Sequence, residues 1–228
     1  MTTTGHKSEE LVACSQEVDR FLGELLVDVR AIGAAARAAF GDSAPTAGRL
    51  TSAVEPGVNE LMDRRDDLQG CGFVVAPGIF ADRELFLAWW QGRPRAFLGE
   101  ARSVTGEALD YTRQAWYRAP ATTGAEQVTG PYVDYVCTDE YVVTVTAPVA
   151  DDSGRLLGVA GADLLAATVE DWALPLLRTV GGRATLIGTT GRAVVSLDPA
   201  VRLGRAVAQS AIRERVVCRV APMTVAQL

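Results

Sequence analysis

One stretch decides the fold of this chain, Tyr141-Val-Val-Thr-Val-Thr-Ala-Pro-Val149, together with the turn Asp151-Asp-Ser-Gly154 and the run Leu156-Leu-Gly-Val-Ala-Gly-Ala-Asp163 that follow it. The first run alternates with a period of two and is rich in β-branched residues, which is typical of a strand. Its odd-numbered residues are apolar apart from the Tyr141 hydroxyl, and the opposite face carries Thr144 and Thr146. Asp, Ser and Gly favour a chain reversal. The sequence therefore predicts two antiparallel strands.

An aromatic and charged segment precedes these strands. It contains Tyr111-Thr-Arg-Gln-Ala-Trp-Tyr117, and Gly130-Pro-Tyr-Val-Asp-Tyr135 follows after a loop rich in Ala, Thr and Gly. We interpret this as a short helix that leads into the sheet, with polar and aromatic groups where helix and sheet meet. Gly158 and Gly161 leave room for a ligand or a backbone to approach closely. The pattern predicts a small-molecule pocket, with Asp163 at the junction of a strand and a helix.

The order and spacing of these residues resemble the Cache family, the PAS-like extracytoplasmic sensor modules of chemoreceptors and histidine kinases. The resemblance implies an α+β fold, in which an antiparallel PAS-like sheet lies behind a long N-terminal helix with further flanking helices. It is carried by the middle of the chain and extends more loosely from Gly70 to the end. The matching segments are Trp116-Tyr117, Pro131–Asp134, Val143-Thr144, Ala147–Val149 and Gly158–Asp163.

The resemblance also implies a ligand site. In the branch of the family that binds amino acids and amines, a Trp-Tyr pair, a Tyr-x-Asp pair and a later Asp line the site. Those positions are Trp116, Tyr117, Tyr132, Asp134 and Asp163 in this chain.

The chain departs from the family pattern at one position. The branch carries an Arg two residues before the Trp, where it holds the ligand carboxylate, but this chain has Gln114 there and the arginine one step earlier, at Arg113. A shift of one residue turns a helical side chain by about 100°. We include Arg113 and the neighbouring Tyr111 as further candidates for the site.

The chemistry of these residues suits a positively charged ligand. Asp134 and Asp163 would each accept a charge-assisted hydrogen bond from an amine, and the aromatic rings would surround the cation. The expected ligand is an amine, an amino acid or a small carboxylate. The alternative is that the rings belong to the core and the aspartates cap turns or helices, with Asp163 as a helix N-cap. Both alternatives stay open at the level of the sequence.

Composition excludes several classes of partner and cofactor. The chain has 228 residues and a net charge of −6, which argues against nucleic acid and against adhesion to an anionic membrane. Four cysteines without a CxxC pair and a single histidine, His6, argue against a structural metal site. We therefore expect no cofactor and no metal, with free thiols in a reducing compartment.

The N-terminal residues lack the pattern of a signal peptide, and no run reaches the ~18 apolar residues of a membrane span. Although the Cache family is displayed outside a membrane, these features predict a stand-alone, soluble and cytoplasmic form.

The regions outside the central stretch are predicted as follows. A helix over residues 8–40 carries an apolar stripe at Leu11, Val18, Leu25 and Ile32, which is expected to bury against a second copy, against the protein's own sheet, or against both. We divide the chain into an N-terminal helical segment, residues 1–68, and a sensor domain, residues 69–228.

Smaller elements are also predicted. Pro56-Gly57 is expected to split residues 47–68 into two short helices, and Trp89 and Trp90 are expected on opposite faces of a strand. The remaining predictions are a strand over residues 85–91, a short strand over 96–98, a helix over 165–179, a hairpin over 184–197, and a tail made of a short helix and the apolar segment 216–220.

These observations favour a sensor domain over two other classes. An enzyme has little support, because the single histidine offers no partner for a cysteine nucleophile. A ligand-free interaction module driven by the helical stripe remains the main alternative. We expect a homodimer that passes its signal to a separately encoded partner, such as a transcription regulator, when ligand closes residues 119–130 onto the sheet.

Overall fold

A computed structural model describes residues 3–41, 46–100, 110–134 and 140–228, with side chains from residue 8 onward. The helices of this part of the chain are α1 (Thr3–Ala39), α2 (Ala47–Arg64), α3 (Ala115–Thr123) and α4 (Ala166–Val180). Short 3-10 turns lie at Tyr111–Arg113 and Gln209–Ala211. The strands are β1 (Leu68–Val75), β2 (Leu87–Gln91), β3 (Ala96–Leu98), β4 (Gln127–Val133), β5 (Tyr141–Ala150), β6 (Leu156–Leu165), β7 (Ala184–Ile187), β8 (Ala193–Ser196), β9 (Glu214–Val217) and β10 (Thr224–Gln227).

Two antiparallel sheets organise these elements. The larger sheet has six strands in the order β3-β2-β1-β6-β5-β4, and the smaller has four in the order β8-β7-β10-β9. The predicted strand pair is β5 and β6, which pair from Val142 opposite Leu165 to Ala150 opposite Leu156. The predicted α+β fold with an antiparallel sheet, a long N-terminal helix and flanking helices is confirmed.

The long helix α1 packs against the protein's own sheets. Its apolar stripe, including Leu11, Val18, Leu25 and Ile32, is buried in the main core. The helix contacts β1, β5 and β6 of the large sheet and β9 and β10 of the small one. Burial on the protein's own sheets is thus confirmed, and a second copy stays a prediction. The helix begins at Thr3, before the predicted residue 8, because a lone Gly5 is too weak a breaker to stop it.

The prediction of two short helices around Pro56 is wrong. Residues Ala47–Arg64 form one helix, whose first turn is capped by the Thr46 side chain, accepting from the Arg49 N–H at 3.3 Å. Its apolar residues lie on one buried side, whereas Pro56 lies on the exposed side. Packing of the buried side therefore outweighs the hydrogen bond that proline removes.

The tail differs from its prediction as well. It contains a short helical turn at Gln209–Ala211, but the apolar segment predicted after it belongs in part to strand β9, and β10 is a central strand between β7 and β9. The small sheet was therefore only half predicted, through the β7–β8 hairpin.

The predicted strands near Trp89 and at Ala96–Leu98 and the helix after Leu165 are confirmed within two residues. The domain division at residue 68 stays a prediction.

Candidate functional site

Strand periodicity gives the large sheet two different faces. On β5, Val143, Val145 and Ala147 belong to the core beneath α1, whereas Thr144 and Thr146 face the opposite side. Trp89 and Trp90 on β2 divide in the same way, with Trp90 in the core under the helices and Trp89 in a separate aromatic cluster. The predicted alternation is confirmed, and the face away from α1 carries the polar residues.

A bulge in β4 turns the Tyr-x-Asp pair toward this face. The pairing runs from Thr129 opposite Thr144 to Tyr132 opposite Val142, so β4 has one residue more than β5. Gly130 adopts φ of 139°, and a Cβ there would lie 2.7 Å from the Val142 carbonyl oxygen. Only glycine fits this conformation and this space. Without the extra residue, Tyr132 would face α1.

The side chains enclose a small cavity between α3 and the sheet. Its volume of about 20 Å³ has room for one water molecule. Four of the predicted site residues line it, namely Trp116, Tyr132, Asp134 and Asp163. The other described lining residues are Val74, Leu87, Trp89, Thr144, Thr146, Val159 and Gly161. We call this space the inner cavity.

A hydrogen-bonded chain crosses the inner cavity. The Thr144 hydroxyl donates to Asp163 Oδ1 at 2.6 Å, and the Tyr132 hydroxyl lies 2.6 Å from Thr144 Oγ1. Since threonine has one hydroxyl proton and gives it to Asp163, the Tyr132 hydroxyl is the donor to Thr144. The two hydroxyl protons therefore point toward Oδ1 of the Asp163 carboxyl group.

Asp163 lies within strand β6, and the next helix is capped by Leu165, so the alternative that Asp163 caps a helix is wrong. Burial, together with the charge of Asp134, raises the pKa of Asp163 to about 8, although the Thr144 hydrogen bond acts in the opposite direction. Asp134 itself is only 3% exposed. Two carboxyl groups thus share a buried site, an arrangement that marks functional sites.

The other predicted site residues lie outside the inner cavity. Tyr117 is buried beside Trp116, with the two rings edge-on at 6.2 Å. The Tyr111 hydroxyl donates to the Val75 carbonyl at 2.6 Å and accepts from the Phe86 N–H at 3.1 Å, so it ties β1 to the segment before β2. Burial raises the pKa of Tyr117 to about 12. Both tyrosines support the wall behind Trp116.

Arg113 points away from the inner cavity. Its side chain is 86% exposed and pairs with Asp110 at 3.2 Å. The described lining of the inner cavity contains no Arg or Lys. Gln114, at the position of the family arginine, lines a second and more open groove of about 440 Å³.

This outer groove adjoins the inner cavity. Both are lined by Trp116 and Tyr132, which therefore separate the two spaces. On its far side the groove is bounded by Thr190, Arg192 and Gly204 near the β7–β8 hairpin.

The hypothesis of a mobile loop over residues 119–130 needs correction, because most of this segment is α3 and β4 and only residues 124–126 connect them.

Seven of the described lining residues were not among the predicted site residues. Thr144 and Thr146 carried a signal, since they are the polar residues on the inner part of an otherwise apolar strand. Trp89 and Trp90 were predicted on opposite faces of a strand, and the structure places Trp89 in the cavity wall.

Within the described residues, no group of acidic, His and Cys side chains is arranged to hold a metal ion. No described helix is both long and apolar enough to cross a membrane. Cys14, Cys71 and Cys218 are buried free thiols. Cys137 lies outside the described residues, as does Tyr135 of the segment Gly130–Tyr135.

Known proteins share this fold. The sensory domain of the chemoreceptor Tlp3 of Campylobacter jejuni, solved with isoleucine bound, is 18% identical with a TM-score of 0.61, covering 88% of this chain and 75% of that one. The ligand-binding domain of the Pseudomonas aeruginosa receptor PctC, in complex with GABA, is 17% identical with a TM-score of 0.63, covering 99% of this chain and 98% of that one. The ligand-binding domain of the Pseudomonas fluorescens receptor CtaA, in complex with L-serine, is 16% identical with a TM-score of 0.61, covering 91% of this chain and 77% of that one. At these identities the likeness establishes the fold.

Sequence comparison establishes the family. A search of curated proteins found no match. The sequence model of the methyl-accepting chemotaxis protein-like first PDC sensor domain matches residues 54–171, just over half of the chain. This range contains the bulged strand β4, both aspartates and the strands β5 and β6. The Cache resemblance is thereby confirmed, and the chain belongs to the PDC (Cache) family of sensor domains found in methyl-accepting chemotaxis proteins.

Proposed function

We propose that this sensor domain binds a small organic amine in the inner cavity. One observation carries the proposal: Asp134 and Asp163 are buried carboxyl groups that face one cavity, and its described lining contains no Arg or Lys. The ammonium group of the ligand lies between the two aspartates. Trp116 and Tyr132 surround the attached carbon atoms.

The energetics favour a cation at this position. Two buried like charges repel each other and lose hydration, which is why the pKa of Asp163 is raised. A cation between them offsets both costs. Each aromatic contact with the cation adds roughly 0.5–2 kcal/mol. Together with a desolvated ion pair, these contributions support micromolar binding, about −8 kcal/mol.

An amine fits better than a zwitterion. The related receptors were solved with isoleucine, L-serine and GABA, which all carry a carboxylate. In this chain Gln114 replaces the family arginine and Arg113 is turned to solvent, so the described residues offer no cation for a carboxylate in the inner cavity. Amino acids and small carboxylates remain comparison ligands in the test.

Ligand binding requires the cavity to open. A volume of about 20 Å³ is too small for an amine of several carbon atoms. Trp116 and Tyr132 line both the inner cavity and the outer groove, so outward movement of these rings joins the two spaces. We propose that the ligand selects this opened arrangement.

The same movement provides a route for the signal. The outer groove is bounded by the β7–β8 region of the small sheet. At the other end of that sheet, the Asp19 carboxylate of α1 accepts the N–H groups of Arg219 and Val220 at 2.8 Å. We propose that displaced rings move the small sheet and, through this contact, helix α1.

Helix α1 is the proposed output. Val12 and Val27 on this helix are 40% and 60% exposed, which suits a contact with a second copy. We propose that the homodimer formed there passes the signal to a separately encoded protein, such as a transcription regulator, in the cytoplasm. Light scattering tests the dimer, and fractionation of cells tests the location.

A ligand-free interaction module is the second candidate function. The small volume of the inner cavity favours it, because no metabolite fits without movement. It predicts a dimer that never responds to metabolites.

A thermal-shift screen distinguishes the two candidates. The screen covers amines, amino acids, small carboxylates and purines, and compares the native chain with Asp134→Ala and with Glu170→Ala, an exposed carboxylate on α4 as control. A ligand at 100 times its Kd adds about 2.7 kcal/mol, which raises Tm by about 5–10 °C. We expect an amine to stabilise the native chain and the control but not Asp134→Ala, and to be recovered chemically unchanged. Equal stabilisation of all three proteins refutes the site, and no response to any compound refutes the sensor.

A further inference from the structure

Trp89 has a polar atom that its surroundings leave unsatisfied. The side chain is 4% exposed and lies in the wall of the inner cavity. Its indole Nε1 is buried and has no hydrogen-bond partner among the described residues. Buried donors are nearly always bonded, and an indole N–H can only donate. The structure therefore provides a donor that lacks an acceptor.

The position of this donor is set by a glycine. A Cβ at Gly70 would lie 2.8 Å from Trp89 Nε1, so the indole edge reaches across strand β1 to the place where Gly70 has no side chain. Gly70 pairs with Asp163 on β6. Since paired residues of antiparallel strands project to the same face, the Asp163 carboxyl borders the same space. The Trp89 N–H and the Asp163 carboxyl group thus flank Gly70 on the same face of the sheet.

We infer that the Trp89 N–H binds an oxygen atom of the ligand while the ammonium group of the same ligand binds Asp163. This inference rests on the proposed function and narrows it. Trp89 lies on β2 and Asp163 on β6, with β1 between them, but the indole Nε1 reaches Gly70 on β1, the strand next to β6. Since neighbouring strands are about 4.8 Å apart, one short ligand can bind both groups. The ligand is therefore an amine with a hydroxyl or carbonyl oxygen on the carbon next to the one that carries nitrogen. A plain alkylamine leaves the indole unsatisfied and binds more weakly.

Calorimetric titration with ethanolamine and propylamine tests this inference. The two compounds have four heavy atoms each and differ in the oxygen that the indole would bind. In the native chain we expect ethanolamine to bind at least about tenfold more tightly. In Trp89→Phe, which keeps an aromatic ring but lacks the donor, the ratio falls to nearly one. Trp90→Phe is the matched control, because Trp90 packs in the core on the other face, and it keeps the native ratio.

A second measurement does not depend on the folding of Trp89→Phe. The chain has four tryptophans, so the indole ¹⁵N–¹H resonance of Trp89 can be assigned with that variant or, by elimination, with the other three Trp→Phe variants. Ethanolamine moves this resonance downfield, and propylamine at saturation does not.

Different results overturn different parts of the account. Equal affinity of the two amines for the native chain, or a ratio unchanged in Trp89→Phe, refutes the role of Trp89 and leaves amine binding intact. The indole donor is then satisfied by a water molecule, for which the inner cavity has room. If neither amine binds at any concentration, this inference is refuted, and the proposed function is refuted as well when no other amine stabilises the native chain in the thermal-shift screen.

Discussion

Replacing Asp163 by Asn should stabilise the ligand-free protein at alkaline pH. The pKa of this carboxyl is raised from 3.8 to about 8 in the folded chain. Between these values the folded protein holds a proton that the unfolded chain has lost, so the free energy of unfolding falls as pH rises. Below pH 4 both states are protonated and the group has no effect. Above pH 8 the carboxyl group is ionised in both states, and the free energy of unfolding is lowered by its full amount.

The structure sets the size of this effect. A pKa difference between 3.8 and about 8 corresponds to roughly 6 kcal/mol at full ionisation. Local relaxation around a buried charge reduces the cost, and we expect about 2–4 kcal/mol. For a chain of this size each kcal/mol moves Tm by about 2–4 °C. Asn keeps the shape of Asp and an oxygen that accepts from Thr144, so the variant removes the charge without leaving a cavity.

Thermal unfolding at pH 5, 7 and 9 measures the effect. Tm of Asp163→Asn should exceed that of the native chain by only about 2–6 °C at pH 5 and by about 5–15 °C at pH 9. Glu170→Gln, which changes an exposed carboxylate, should follow the native chain throughout. A difference that is constant with pH, or a variant that is less stable at pH 9, would contradict the assignment of Asp163 as a destabilised carboxyl group.

Further substitutions and labelling test other parts of the structure. Gly130→Ala places a Cβ 2.7 Å from the Val142 carbonyl oxygen and should cost at least about 2 kcal/mol in urea unfolding, whereas Gly48→Ala, with nothing within 4 Å on helix α2, should be neutral or stabilising. Tyr132→Phe removes the donor to Thr144 and should cost about 1 kcal/mol in the same assay; a loss below 0.3 kcal/mol, about the error of the assay, contradicts the hydroxyl chain. At pH 8 a thiol reagent should label at most one of the four cysteines until the protein unfolds. The reason is that burial raises the pKa of the Cys14 thiol to about 11 and the pKa of the Cys71 and Cys218 thiols to about 12.

Sequence periodicity predicted the parts of the site that follow from regular strands. The threonines of β5 and the two tryptophans of β2 lie on the predicted faces, because a strand alternates with a period of two whatever surrounds it. The family resemblance supplied both aspartates. Asp163 was misplaced at a helix start because the apolar run Leu164-Leu165 continues the strand by two residues before α4 begins.

Other features depended on contacts between distant parts of the chain. The orientation of Tyr132 results from a bulge at Gly130, and the need for glycine there arises from the neighbouring strand. Tyr111 was grouped with the site because it lies close to Trp116 in sequence, but its hydroxyl binds the backbone of β1 and of the segment before β2. Strand β10 was missed because it becomes a central strand only through pairing with β7, which lies about 40 residues earlier.

Proton release on amine binding tests the central claim most directly. At pH 7 the ligand-free Asp163 carboxyl holds a proton, because its pKa is about 8. An ammonium group between Asp134 and Asp163 lowers that pKa and displaces the proton. Calorimetric titration with ethanolamine in two buffers of different ionisation enthalpy counts the protons. We predict release of about one proton per site from the native chain and none from Asp163→Asn. Binding without proton release, or no binding of any amine, would contradict the account.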